Sequence, residues 1–194
     1  MNSDYVFIAI GLALLIVVIV VSAYQNKRRK EMLAQQAEKR GGEFSDGGFW
    51  SRSELRLPYK GNTILIYSIP GGKNRPPYTY AEMKSSAPTL PTLDVLRNNF
   101  SQKIMGAFGK ERILLDDEEF DRQCVVRGED ELAARRILTA SVRNRFTDGS
   151  LRTLEVKMNP KEIKFIMQSI PSNEEEYDNF IDAVFLVIKN LHIP

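Results

Sequence analysis

The sequence predicts an α+β fold: an N-terminal transmembrane helix, then a mostly antiparallel sheet, and a closing C-terminal amphipathic helix. Three observations predict it. An uncharged apolar run fills residues 5–24. Segments in which apolar and polar residues alternate recur at residues 50–84 and again at 151–170. Apolar residues then return with helical spacing between residues 177 and 191.

The apolar run reads YVFIAIGLALLIVVIVVSAY and contains neither charge nor proline. At about 1.5 Å per residue, a helix of this length spans the roughly 30 Å hydrocarbon core of a bilayer. A cleaved signal peptide and a buried helix of a soluble protein are the alternatives. A signal peptide carries its cations before a shorter apolar segment, whereas here the cations come after it.

Four consecutive cations, Lys27, Arg28, Arg29 and Lys30, follow the apolar run, while residues 1–4 carry one acid. By the positive-inside rule, we expect a single-pass protein of the cell inner membrane. Residues 1–4 are expected outside the cytoplasm, and the C-terminal domain inside it. The lipid bilayer is therefore the first expected partner.

Residues 25–40 are good helix formers and are expected to prolong the membrane helix. One interpretation makes them a solvated stalk, and the other brings Lys27–Lys30 into contact with anionic lipid head groups. Two glycine pairs, at 41–42 and 47–48, predict a flexible hinge. Residues 25–48 are thus predicted to form a basic helix and hinge, and residues 49–194 a cytoplasmic α+β domain.

Strands are predicted wherever apolar and polar residues alternate or β-branched residues cluster. Lys60-Gly61-Asn62 predicts a hairpin turn, because glycine and asparagine tolerate positive φ. Helices are predicted near residues 99–106, 131–138 and 140–146. The predicted strands cover residues 54–59, 63–67, 78–83, 93–96, 123–127, 151–158 and 163–170.

The last predicted helix has the strongest pattern after the membrane segment. Asn173 offers an N-cap, and Glu174-Glu175-Glu176 places negative charge at the positive end of the helix dipole. The apolar spacing predicts that four residues lie buried against the sheet, namely Phe180, Ile181, Val184 and Ile188. Asp182 and Lys189 lie off this stripe and are expected to face water.

The formal charge of +2 is concentrated beside the membrane segment, because residues 25–40 carry six Lys or Arg and two Glu. The predicted domain is therefore close to neutral, which argues against nucleic acid as a partner. Cys124 is the single cysteine, so an intramolecular disulfide is excluded, as fits a reducing cytoplasm.

Residues suited to catalysis are sparse. His192 is the single histidine and lies three residues from the end, so a Ser-His-Asp or Cys-His site is not expected. The carboxylates of residues 116–121 could hold calcium, but they lack EF-hand spacing and also fit a capped turn. Cys124 lies among valines, as a small buried side chain would. We therefore expect no enzymatic activity, no metal and no cofactor.

An aromatic surface is the remaining candidate site. Tyr78 and Tyr80 follow a proline-rich loop, and Trp50 lies near the predicted hinge. Aromatic residues beside prolines can form a recognition groove for a protein partner. Alternatively, these side chains cap the core of the sheet itself.

Two segments carry a resemblance to a known family. The runs FWSRSELRLPYKGNTILIYSIPGGKNRPPYTY and FDRQCVVRGEDELAARRILT resemble those of an uncharacterised bacterial family of single-pass membrane-anchored proteins. The resemblance implies an N-terminal helix, a short basic stalk and one domain. It also implies a bacterial source and placement on the cytoplasmic membrane, but no activity and no functional residue.

These observations predict that the protein is a membrane-anchored cytoplasmic binding or scaffold module. Such a module would serve as an accessory subunit of a membrane protein complex. The alternative is that a lipid or small apolar ligand binds in a cavity between the sheet and the C-terminal helix. An enzyme is the third hypothesis, and converging carboxylates would favour it.

Overall fold

The computed structural model describes residues 3–48, 52–85, 90–98 and 112–191. The helices α1 to α5 are, in chain order, Ser3–Arg40, Glu118–Gln123, Glu131–Ile137, Ala140–Thr147 and Glu174–Lys189. The strands β1 to β9 are Glu43–Ser45, Glu54–Tyr59, Asn62–Ile69, Tyr78–Lys84, Leu93–Arg97, Arg112–Ile113, Cys124–Gly128, Leu154–Asn159 and Glu162–Met167. A short 3₁₀ turn covers Gly149–Leu151.

Within the described residues, all nine strands join one sheet in the order β1-β2-β3-β4-β9-β8-β5-β7-β6. Every neighbouring pair is antiparallel. With the apolar N-terminal helix and the C-terminal helix, this arrangement confirms the predicted α+β class. The predicted helix near residues 99–106 lies outside the described residues.

The β2–β3 hairpin shows how local sequence sets the register. Lys60 and Gly61 have φ values of 44° and 75°, as a two-residue turn with positive φ at both positions requires. This turn pairs Leu57 with Ile64 and Leu55 with Ile66, and all four side chains are buried. The predicted turn is confirmed.

Helix α5 closes the core as its spacing predicted. The Asn173 side chain accepts a hydrogen bond of 2.9 Å from the Glu176 amide and caps the helix. The four residues predicted to be buried have no exposed area, namely Phe180, Ile181, Val184 and Ile188. Asp182 and Lys189 are exposed.

Side chains of the sheet and of α5 meet in one core cluster. Phe165 of β9 and Tyr177 and Phe180 of α5 belong to one core cluster and are fully buried. These three side chains occupy part of the space in which a ligand cavity was considered.

Helix α1 ends in a Schellman motif, not in a hinge. Gly41 has φ of 65°, its amide donates to the Glu38 carbonyl, and the Gly42 amide donates to the Ala37 carbonyl at 2.8 Å. A Cβ atom at Gly42 would collide with the carbonyl oxygen of Arg56 on β2. The first glycine pair therefore ends the helix and lets the chain pass close to the sheet, where β1 pairs with β2.

Candidate membrane-facing and partner-binding surfaces

The N-terminal part of α1 has the properties of a membrane-spanning segment. Within the described part of the chain, α1 is the helix that is long and apolar enough to cross a membrane, and none of its apolar window is buried in the protein. The large apolar side chains of Phe7 and Ile10, and those from Leu12 to Val21, are about half or more exposed. An exposed apolar surface of this length suggests a membrane anchor.

The same helix continues without a break into the domain core. Met32, Leu33 and Ala37 are buried and belong to the core cluster that also contains Leu57 and Phe180. The expected solvated stalk is therefore wrong for this part of the helix. The apolar core reaches residues that precede the domain boundary expected at residue 49, because α1 packs on β1, β2 and α5.

A polar cluster joins the end of α1 to α5. Gln36 is fully buried, and its Nε2 donates to Asp178 Oδ1 at 3.1 Å. Arg40 donates to the same oxygen at 2.8 Å, and Lys39 lies 2.7 Å from Asp178 Oδ2. Arg40 also pairs with Asp182 at 2.9 Å. We call Gln36, Lys39, Arg40 and Asp178 the helix clamp, since together they hold α1 against α5.

The four juxtamembrane cations lie in different surroundings. Lys27 is exposed and pairs weakly with Glu31 at 3.9 Å. Lys30 is half-buried and forms an ion pair with Asp46 at 2.7 Å, so its charge is partly neutralised within the protein. Arg28 is exposed and Arg29 half-buried, and both line a groove beside α1.

This groove, which we call the α1 groove, has a volume of about 590 Å³. Its α1 side consists of Val20, Val21, Tyr24, Gln25, Arg28, Arg29 and Met32. Its other side is the loop Ile170-Pro171-Ser172, which connects β9 to α5. The groove therefore runs from the apolar segment of α1 to the point where α1 enters the core.

The aromatic candidates lie on the sheet face that points away from the core. Tyr80 stacks on Tyr67 with ring centroids 5.2 Å apart, and Tyr78 lies 5.9 Å from Tyr80. The sheet brings them together because Tyr67 of β3 is directly opposite Tyr80 of β4. Tyr78 and Tyr80 are half-buried. Trp50, the third aromatic candidate, lies outside the described residues.

Charged groups surround the tyrosines. The Arg52 guanidinium lies 3.4 Å from the centre of the Tyr67 ring, and the Tyr67 hydroxyl donates to Glu82 at 2.7 Å. Lys164 pairs with the same carboxylate at 3.0 Å. Burial and the hydrogen bond to Glu82 raise the pKa of Tyr67 to about 12, so this tyrosine stays neutral. We call Tyr67, Tyr78, Tyr80 and Arg52 the tyrosine surface.

Sequence patterns alone did not single out Tyr67 or Arg52. Tyr67 ends the β-branched strand predicted at residues 63–67, and the structure buries it. Its role comes from the stacking of its ring on the ring of Tyr80, which lies on a different strand. Only the register of β3 against β4 identifies this pair.

The residues considered for chemistry already have structural roles. Asp117 accepts a hydrogen bond of 3.1 Å from the Phe120 amide and pairs with Arg143 at 2.7 Å. Asp121 accepts from the Leu115 amide at 3.2 Å. The acidic run therefore caps and begins helix α2 before β7, where the sequence had suggested a capped turn. His192 lies outside the described residues.

Cys124 is buried in β7, and Arg97 Nη1 lies 3.5 Å from its sulfur. Burial raises the pKa of the Cys124 thiol to about 11, although the nearby Arg97 opposes that rise. The thiol is therefore protonated at neutral pH and behaves as a small buried side chain.

No protein-family model matches the chain, and no curated protein matches it. Among solved structures, the chain is similar to the crystal structure of the mycobacterial trehalose monomycolate transport factor A, TtfA. The TM-score is 0.52 at 14% sequence identity, and the match covers 85% of this chain and 95% of the other. At this identity the similarity shows the fold alone.

Proposed function

We propose that this protein is an accessory subunit of a membrane protein complex, anchored by α1 and binding a protein partner through the tyrosine surface. The observation that carries the proposal is the continuity of α1. One helix runs from an exposed apolar segment into the domain core, and the helix clamp holds it to α5. The domain thus has a fixed orientation relative to α1, as a scaffold on a helical anchor requires.

The basic residues support one membrane orientation. All four juxtamembrane cations follow the apolar segment, and flanking Lys and Arg residues stay in the cytoplasm. We therefore place the domain on the cytoplasmic side of the inner membrane, with residues 1–4 on the opposite side. The protein that shares this fold is described as a transport factor, a description compatible with the accessory role proposed here.

The tyrosine surface has the composition of a protein-binding surface. Tyrosine and arginine are enriched in the residues that contribute most to binding. Tyrosine offers a large contact area with few rotatable bonds, and arginine offers several hydrogen-bond donors. Tyr67 and Arg52 are held in place by Glu82 and by each other, so little ordering entropy is lost on binding. Tyr78 and Tyr80 supply the contact area beside them.

The proposal is non-enzymatic. The acidic run near residue 117 is engaged in a helix cap and an ion pair, and the Cys124 thiol is buried and protonated. These observations favour binding over catalysis and require no cofactor or metal.

In-cell photocrosslinking tests the proposal. A photoreactive phenylalanine analogue replaces Tyr80 in the full chain, and the matched control places it at Leu132, which is 80% exposed on α3. We expect a discrete crosslinked species from position 80, which is lost when Tyr78 is also changed to alanine. No crosslink at position 80, or an equal one at position 132, would contradict binding through this surface.

A further inference from the structure

The α1 groove is lined by an apolar surface at one end and by a cationic surface at the other. At its N-terminal end are Val20 and Val21, and about 12 Å further along the helix, at about 1.5 Å per residue, is Arg28. Ile170 and Pro171 form the opposite wall. The groove therefore offers an apolar end and a cationic end, an arrangement that matches an amphiphile.

The position of the groove relative to the bilayer follows from the length of the apolar run. A span of residues 5–24 fills the roughly 30 Å hydrocarbon core and puts Tyr24 at its boundary. Val20 and Val21 are then at acyl-chain depth. Arg28 and Arg29 lie about 6–8 Å beyond the boundary, at the depth of the lipid phosphates. The groove thus opens to the cytoplasmic leaflet.

Arg28 and Arg29 differ from the other two juxtamembrane cations in their ion-pair partners. Lys30 is paired with Asp46, and Lys27 has Glu31 one turn away. The residues that line the α1 groove include these two arginines and no carboxylate. A guanidinium can donate two parallel hydrogen bonds to one phosphate group, which gives it specificity as well as attraction.

The groove also has an acidic neighbour, Glu176, whose negative charge opposes the binding of an anionic ligand. Glu176 lies in the first turn of α5, and its two carboxylate oxygens accept hydrogen bonds from the Ser172 amide at 2.8 Å and the Ser172 hydroxyl at 3.0 Å. These bonds order the wall of the groove and direct the carboxylate toward the loop. The charged hydrogen-bond donors that line the groove are then Arg28 and Arg29, with the neutral polar groups of Tyr24 and Gln25 beside them.

We propose that the α1 groove binds one anionic phospholipid of the cytoplasmic leaflet, with its phosphate at Arg28 and Arg29 and an acyl chain along Val20 and Val21. The bound lipid fills the gap between the anchor helix and the loop at residues 170–172. This proposal rests on the membrane placement proposed above. It differs from general attraction of basic residues to the membrane, because it assigns recognition to the residues that line the groove.

The test compares neighbouring cations in the full chain. The protein is reconstituted into nanodiscs of three parts phosphatidylcholine to one part phosphatidylglycerol. Native mass spectrometry then counts the lipids that stay bound after the protein is released from the nanodisc. Arg28→Gln removes a charge from the groove, and Lys27→Gln removes the same charge from the next position outside it. We expect Arg28→Gln to weaken phosphatidylglycerol retention about tenfold, as for one charge-assisted hydrogen bond, and Lys27→Gln to leave it unchanged.

A second pair of variants tests the apolar end. Val21→Trp fills the groove, whereas Val18→Trp adds the same bulk to a position of α1 that does not line it. We expect only Val21→Trp to reduce retention. Equal losses for Arg28→Gln and Lys27→Gln, equal retention of phosphatidylcholine, or full competition by inorganic phosphate would each overturn the proposal. Extraction of the chain from membranes by carbonate would instead overturn the membrane anchoring itself.

Discussion

Gln36 and Asp178 lie 142 positions apart in the sequence, yet Gln36 Nε2 donates to Asp178 Oδ1 across 3.1 Å. Gln36 is fully buried, so it needs this acceptor to offset the loss of water. The bond joins the helix that carries the membrane segment to the helix that closes the sheet. It makes the last turns of α1 part of the folded domain. The stability of the domain should therefore depend on these turns.

The first prediction concerns the boundary of the folded domain. A fragment of residues 26–194 retains Met32, Leu33 and Ala37 and should unfold cooperatively as a soluble protein. A fragment of residues 49–194 lacks these core residues and strand β1. We expect it to aggregate or to melt at a markedly lower temperature, because the apolar surface that α1 covers becomes exposed. Thermal unfolding followed by circular dichroism distinguishes the two, and equal melting temperatures would contradict the contribution of α1.

The second prediction concerns the helix clamp. Asp178→Ala removes the acceptor for the buried amide of Gln36, and should lower the free energy of unfolding of residues 26–194 by about 1–3 kcal/mol. Asp182→Ala removes a more exposed partner of Arg40 and should cost about 0.5 kcal/mol or less. Urea denaturation measures both values. Similar costs at the two positions would show that Gln36 does not depend on Asp178.

The third prediction concerns acid stability. Burial raises the pKa of Asp178, but hydrogen bonds from Lys39, Arg40 and Gln36 together lower it below its ordinary value. The unfolded chain, with a carboxyl pKa of about 3.9, therefore takes up this proton first as pH falls. The stabilisation is complete above about pH 4 and is lost as the pH falls through the folded pKa. The stability difference between wild type and Asp178→Asn should shrink below pH 4, and a constant difference down to pH 3 would argue against a charged clamp.

The fourth prediction concerns the closing helix. Phe180 is fully buried against the sheet, so Phe180→Ala should cost roughly 3–5 kcal/mol, including the cavity that it leaves. Leu132→Ala provides a control at an exposed position and should change stability by under about 0.5 kcal/mol. Chemical denaturation of residues 26–194 gives both numbers. A small effect at Phe180 would mean that α5 does not dock through this face.

The fifth prediction concerns membrane orientation. A green fluorescent protein fused after Pro194 should be fluorescent, and alkaline phosphatase fused at the same point should be inactive, because the domain is placed in the cytoplasm. Neutralising Lys27, Arg28, Arg29 and Lys30 together should raise the phosphatase activity. High phosphatase activity in the unmodified fusion would reverse the proposed orientation.

The sequence predicted those parts of the fold whose signal is local. The Lys60-Gly61-Asn62 turn was predictable because glycine and asparagine tolerate positive φ; the structure places the positive φ at Lys60 and Gly61. Helix α5 was predictable because its apolar spacing and its Asn173 cap lie within 20 consecutive positions. The aromatic pair of Tyr67 and Tyr80 was not, since two strands must first pair in one register before the rings can meet.

The sequence by itself determined the apolar helix, the hairpin and the closing amphipathic helix, because periodicity and turn chemistry act within a few residues. The tertiary structure decided what residues 32–45 do. Helix formers predicted a stalk up to residue 40, and the glycine pair at 41–42 predicted a hinge. In the folded protein these segments form a core helix, a helix cap and an edge strand instead. It also created the α1 groove, because Arg28 and Ile170 come together only when the sheet and α5 fold back onto α1.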